Sequence, residues 1–217
     1  MKRYSLWEWA RAYLVLVLWL PFFPLLLWLD KRTLPNWLHR KLLAAHVAET
    51  DLRPMDFRIP PDESVPAYME RWWKVPRNWA TNVYFHIFRR SDDDPALHDH
   101  PWLSFSIVLS GGYHEHEIHE GGVQTFTRFR PGMMRFRWKG SMAHRVELLP
   151  IPGGEMPART IFITGPVLRR WGFHDGPRGW VDSYAWDEHC DQYGLKAMRM
   201  DGGSDAVVSE RNHHRSN

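Results

Sequence analysis

Two histidines one residue apart open the stretch of this chain with the clearest chemistry. His98 and His100 stand at the head of the apolar, β-prone run Pro101-Trp102-Leu103-Ser104-Phe105-Ser106-Ile107-Val108-Leu109, which closes on Gly111-Gly112. In a strand, alternate side chains share a face, so both imidazoles point one way and Asp99 is turned from them. Two imidazoles so placed can hold one divalent metal, and a third ligand is then needed. His144, in Ala143-His144-Arg145-Val146, is the candidate. A hydrogen-bonded histidine pair near a barrel mouth is the other reading of the same residues.

The same alternation nominates a pocket wall. Trp102, Ser104 and Ser106 share the face of the two histidines, and Asn82, Tyr84 and His86 alternate on the preceding strand. The hydroxyls can bind a ligand or can simply leave room. The tract His114-Glu115-His116-Glu117 offers a second pair of aligned histidines between two Gly-Gly turns. Its charge marks those histidines as the wet face of a hairpin. Tyr113 and Glu115 then point inward, with Tyr113 as an acid or hydrogen-bond donor. Arg135 and Arg137 share one strand face, and an inward arginine wants a carboxylate or phosphate. Of the two, Arg135 is the substrate-binding candidate. The cluster 187–191 has no ligand partner within sequence reach and reads as surface.

The elements that must position these residues follow from pattern. Residues 12–29, AYLVLVLWLPFFPLLLWL, carry no charge and approach the length of a membrane-crossing helix. Pro21 and Pro24 interrupt that helix, so it spans with a bend or dips in and returns. Positive charge is similar on both flanks and leaves orientation open, with the barrel expected on the cytoplasmic face. Residues 1–33 are thus a membrane-anchor or interfacial helix. Residues 34–78 read as an amphipathic helix, a Pro-rich connection and a short helix at 65–73. From Trp79, short β-prone runs separated by turn signals indicate an all-β sandwich or barrel over 79–190. Residues 191–217 read as a flexible tail. One cysteine, Cys190, excludes an intrachain disulfide framework. A net charge of +3, without a basic stripe, argues against nucleic acid as a partner.

The order His-x-His, strand, Gly, further strands and a lone His resembles the cupin superfamily, a double-sheet jelly-roll barrel. The motif's Glu position holds Ser104, and Gly111 falls at its Gly. The strings around Trp72-Trp73, His98-Asp99-His100-Pro101-Trp102 and Arg169-x-Trp171-Gly172-Phe173 look like a group of small bacterial and phage cupin-like proteins. The resemblance covers about residues 68–186. It implies a neutral three-histidine site at His98, His100 and His144, similar to that of thiol dioxygenases. Fe(II) is the favoured metal, with Zn, Mn or Ni as alternatives. It also adds Arg169 to the substrate-binding candidates Tyr84, His86, Trp102, Ser104, Ser106 and Arg135. Three functions compete: a membrane-associated Fe(II) oxygenase acting on a small molecule, a metal-dependent isomerase, lyase or hydrolase, and a non-catalytic ligand-binding or sensing cupin. Membrane lipid and a small-molecule substrate are the expected partners.

Overall fold

The computed structural model describes residues 6–61, 63–92, 96–118 and 124–193. Three helices come first: α1 (Leu6–Trp19), α2 (Phe23–Leu29) and α3 (Asn36–Leu52). The strands are β1 (Phe57–Ile59), β2 (Met69–Trp73), β3 (Asn82–Phe88), β4 (Leu97–His98), β5 (Ser104–Ser110), β6 (Tyr113–Ile118) and β7 (Gln124–Phe129). They continue as β8 (Met134–Arg137), β9 (His144–Leu148), β10 (Pro150–Ile151), β11 (Gly154–Glu155), β12 (Ala158–Thr164), β13 (Gly172–Asp175) and β14 (Gly179–Asp182), before helix α4 (Trp186–Tyr193). Two six-stranded antiparallel sheets, β1-β2-β3-β12-β5-β8 and β14-β13-β4-β9-β6-β7, form a double-sheet, cupin-like jelly roll. Val108 and Ala158 of the first sheet meet Tyr113, Phe129, Val146 and Leu148 of the second in the core between them.

The first sheet has two useful faces. Along β3, β5 and β12, residues Tyr84, His86, Ser106, Thr160 and Phe162 face the interior. Their neighbours Phe85, Ile87, Phe105, Ile107 and Ile161 face outward with Trp72, Met134 and Phe136. An apolar outer face must be covered. Leu16, Trp19, Phe23, Leu26, Leu29, Leu42 and Leu43 of the three helices cover it. Each large apolar side chain removed from water in this way contributes about 1.5–3 kcal/mol. The helices are therefore a third layer of the barrel domain.

This arrangement corrects the expected boundaries. The sheet begins at Phe57, within the segment read as a connection, and Met69–Trp73 is a strand where a short helix was expected. Met69 and Arg71 face the interior and Trp72 the helices, a period of two that the surrounding prolines masked. At the other end, residues 191–193 complete α4, and the rest of the expected flexible tail, 194–217, lies outside the described residues.

Pro21 and Pro24 occupy first-turn positions of new helical pieces, a 3-10 turn at Leu20–Phe22 and then α2. A proline there removes a donor that would have had no intrahelical partner, so the segment bends without breaking. Helix α3 is held to the sheet by its histidines. His39 Nε2 lies 2.7 Å from the Leu109 carbonyl. The fully buried His46 donates from Nε2 to the His86 carbonyl at 3.1 Å, and its Nδ1 accepts from Arg159 at 3.3 Å. Both ring nitrogens are thus used by the neutral imidazole.

Burial, only partly offset by the His86 carbonyl and reinforced by Arg159, lowers the His46 pKa from 6.5 to about 4. In the unfolded chain the ring takes a proton near pH 6.5, so the unfolded state binds more protons between pH 6.5 and 4. Stability is expected to fall as the pH drops through that window, by up to about 3 kcal/mol from this residue. His86, also depressed by burial and then by Arg71, acts in the same direction. Denaturant midpoints at pH 7.5 and 5 check this, and equal midpoints would contradict it.

Candidate metal centre

Strand β4 consists of Leu97–His98 alone. It places His98 opposite His144 of β9 and Phe173 of β13. The chain then leaves the second sheet, crosses through Asp99–Leu103 and enters the first sheet as β5. Asp99 holds that crossing. Its carboxylate is fully buried and accepts from Gly172 N at 2.8 Å and Trp180 Nε1 at 3.1 Å, beside Arg169 at 2.7 Å. Burial alone would raise its pKa, but His174, Gly172 N and Arg169 outweigh it and hold the carboxyl below the usual range. His100 N donates to the Gly140 carbonyl at 2.9 Å. A Cβ on Gly140 would stand 2.4 Å from the His100 carbonyl, so only glycine permits this approach.

One ring nitrogen from each of His98, His100 and His144 lies within 4.8 Å of the others. The Nε2 atoms of His100 and His144 are 2.8 Å apart. Burial is the main reason that both imidazoles sit well below their ordinary pKa, with His98 and Arg137 adding to it. They are therefore neutral, the state in which imidazole ligates a metal. Three imidazole nitrogens this close together fit a divalent first-row ion and do not select among such ions.

A buried chain of charges stands behind His144. Arg137 Nη2 lies 3.1 Å from His144 Nδ1 and pairs with Glu115. Glu115 also pairs with Arg135 Nε at 3.2 Å, and Arg135 reaches Glu117 and, at 2.9 Å, Asp30. Asp30, at the end of α2, accepts from Phe136 N at 2.7 Å as well. Arg135, expected among the substrate-binding residues, is therefore placed among carboxylates and outside the cavity lining. Arg169 meets Asp99 and the His100 carbonyl and is likewise absent from the cavity lining. Ser104 is buried, pairs across the sheet with Arg137 and lies outside the cavity lining. It shares the parity of Ser106, which does line the cavity, but stands at the start of β5 beside Arg137.

A cavity of about 210 Å³ opens over the three histidines. Tyr84, His86, Trp102, Ser106 and Tyr113 line it, as the alternation suggested. Trp102 stacks on His100 with ring centroids 5.9 Å apart, and its buried Nε1 has no partner among the described residues. Burial first, then Glu115, pushes the Tyr113 phenol far above its ordinary range, which makes it a hydrogen-bond donor rather than a ready acid. Arg71, Asp92 and Arg137 are among the lining residues that escaped the sequence reading. Arg71 donates from Nε to His86 at 2.9 Å and lies over the Tyr84 ring at 4.6 Å. Asp92 accepts from Val146 N at 2.7 Å and lies 3.9 Å from His98 Nδ1. Arg137 had its signal, the face it shares with Arg135. The other two sit in segments read as helix and turn.

His114 and His116 face outward from β6, where His116 meets Glu147 at 2.6 Å. Glu115 and Tyr113 face inward. The 187–191 cluster is not all surface: His189 binds Asp175 at 2.6 Å and Cys190 is buried beside Trp186 and Phe173.

No family model and no curated protein matches the sequence. Solved structures similar in backbone course include hydroxypropylphosphonic acid epoxidase from S. wedmorenis, at 18% identity and a TM-score of 0.38 over 52% of this chain and 56% of that one. DMSP lyase DddQ from Ruegeria pomeroyi DSS-3 is similar at 12% identity and a TM-score of 0.42, covering 62% of this chain and 67% of the lyase. The cupin domain of Schizosaccharomyces pombe Cnp3 is similar at 8% identity and a TM-score of 0.35, covering 45% of this chain and 61% of that one. This chain thus spans little more than half of the epoxidase it matches. The likenesses concern the backbone and carry no chemistry to this chain.

Proposed function

We propose that this protein is a membrane-associated, metal-dependent enzyme, a non-haem Fe(II) oxygenase acting on a small and largely apolar anion. The observation that carries the reading is the set of three clustered imidazoles open on one side to a lined cavity. His98, His100 and His144 would hold the metal. When bound, iron supplies a Lewis acid with open coordination positions and one-electron redox capacity. The rest of the site shapes what reaches it. Phe57, Tyr84, Phe162 and Phe173 give the cavity an apolar wall that excludes water. Arg71 places a guanidinium on that wall, and its charge is felt at His100. Among the described residues one carboxylate lines the cavity, Asp92, and it already accepts from the Val146 amide. That balance favours a ligand carrying a carboxylate, phosphate or phosphonate. Tyr113 and Trp102 offer donors to its polar groups.

The test is oxygen uptake by full-length, iron-loaded protein with aryl carboxylates and phosphonates, and with neutral aryl amides as controls. Uptake with the anions is expected, lost in His144→Ala. Arg71→Met is expected to weaken binding of the active anion about 10-fold or more, the loss of one charge-assisted hydrogen bond. Oxygen-independent turnover with Zn, Mn or Ni would make the protein an isomerase, lyase or hydrolase instead. Saturable binding without turnover would make it a ligand-binding protein.

A further inference from the structure

The N-terminal segment is apolar on two opposite faces. Trp9–Leu29 is long and apolar enough to cross a membrane by length and composition, with a mean hydropathy of 2.2. Yet Leu16, Trp19, Phe23, Leu26 and Leu29 recur at three- and four-residue spacing and pack against the first sheet, and Ala12 and Val15, in line with them, are buried. The segment is also pinned at intervals. Trp19 Nε1 donates to Thr81 at 3.2 Å, Phe23 meets Phe136 edge-on at 5.3 Å, and Asp30 closes the buried ion pair with Arg135 at 2.9 Å. Lys31 N donates to the Met134 carbonyl at 2.8 Å. A helix that crossed the bilayer would have to leave the sheet, bare its phenylalanines and isoleucines, and break the Asp30 pair.

The opposite face is not polar. Tyr13, Leu14, Val17, Leu18, Phe22 and Leu25 are each more than half exposed, the least of them at 53%. Basic residues paired with tryptophans bracket the segment: Arg11 over Trp7 at 5.6 Å and Arg32 over Trp28 at 4.3 Å. Lys41 over Trp37, at 5.5 Å, lies just beyond on α3. Between Arg11 and Asp30 the sequence has no charge. An apolar strip of this size on a water-facing surface marks an interaction site. Its cationic, tryptophan-marked ends match the headgroup level of an anionic leaflet.

We propose that α1 and α2 are an in-plane membrane-docking face. The segment lies along the bilayer surface, its inner side kept by the barrel and its outer side sunk into the boundary of headgroups and acyl chains. The proposal rests on the membrane association above and replaces a crossing helix by a one-sided one. It places the whole barrel against one leaflet.

Two measurements on the full chain test it. The first is flotation with vesicles of phosphatidylcholine and phosphatidylserine. Wild type is expected to float, and a Leu14→Glu, Leu18→Glu, Leu25→Glu triple variant to lose at least 10-fold in bound fraction while keeping its melting temperature. The second uses Leu6→Cys and Arg32→Cys, both at exposed positions, in sealed membrane vesicles from expressing cells. An impermeant maleimide should label both positions from the same side. Labelling from opposite sides would overturn docking in favour of a crossing helix, and unchanged flotation of the triple variant would overturn it by moving the membrane contact off this strip; either result leaves membrane association standing. Wild type that does not float would overturn both readings, and a dimer abolished by the triple variant would assign the strip to a second copy.

Discussion

Replacing His98, His100 or His144 by alanine is expected to lower divalent-metal affinity by at least about 100-fold in each case. A three-nitrogen site has no spare protein donor, and even the loss of a supporting residue typically costs 10–100-fold. The described residues contain no other group of three ligands at such mutual distances. His114→Ala and His116→Ala should leave affinity unchanged, because both rings face out from β6, on the side away from the cavity. Metal content by elemental analysis and affinity by competition with a chelator are the measurements. Full occupancy in all three alanine variants, with loss in the His114 and His116 variants, would move the centre to the outer face of the hairpin.

Arg135→Ala should destabilise the fold by about 3–5 kcal/mol, the usual cost of leaving buried charges without their partner. Arg135 is 3% exposed and meets Glu115, Glu117 and Asp30, two of which are themselves buried. Removing it leaves Glu115 to Arg137 alone and Glu117 to the half-exposed Lys31 at 3.6 Å, and unties α2 from β8. Replacing Arg135 by methionine together with Glu115→Gln and Glu117→Gln should recover much of the loss, because the charges then go together. Denaturant midpoints decide the matter. A loss under 1 kcal/mol in the single variant would mean that water reaches the cluster and screens it.

His-x-His with a later lone histidine, and the regular cadence of short strands, were readable from local pattern alone. So was the outward face of His114 and His116, because a period of two puts Tyr113 and Glu115 on the other side. These features depend on residues within a few positions of one another. The amphiphilic period of a strand survives whatever it packs against.

Tertiary structure decided the rest, for one recurring reason: burial and charge pairing join residues far apart in sequence. Asp30 and Arg135 meet across 105 residues, and their pairing takes Arg135 out of the cavity. Asp99 claims Arg169 for the crossing loop. Arg71 reaches the cavity because β2 pairs with β3, which no feature of the Pro-rich segment announced. Ser104 shares the parity of Ser106, but its place at the start of β5, paired with Arg137, leaves it outside the cavity lining. The N-terminal segment is the sharpest case. Its sequence sets its hydropathy and its length, but only the apolar outer face of the first sheet determines which side of it is already occupied and which is left for a membrane.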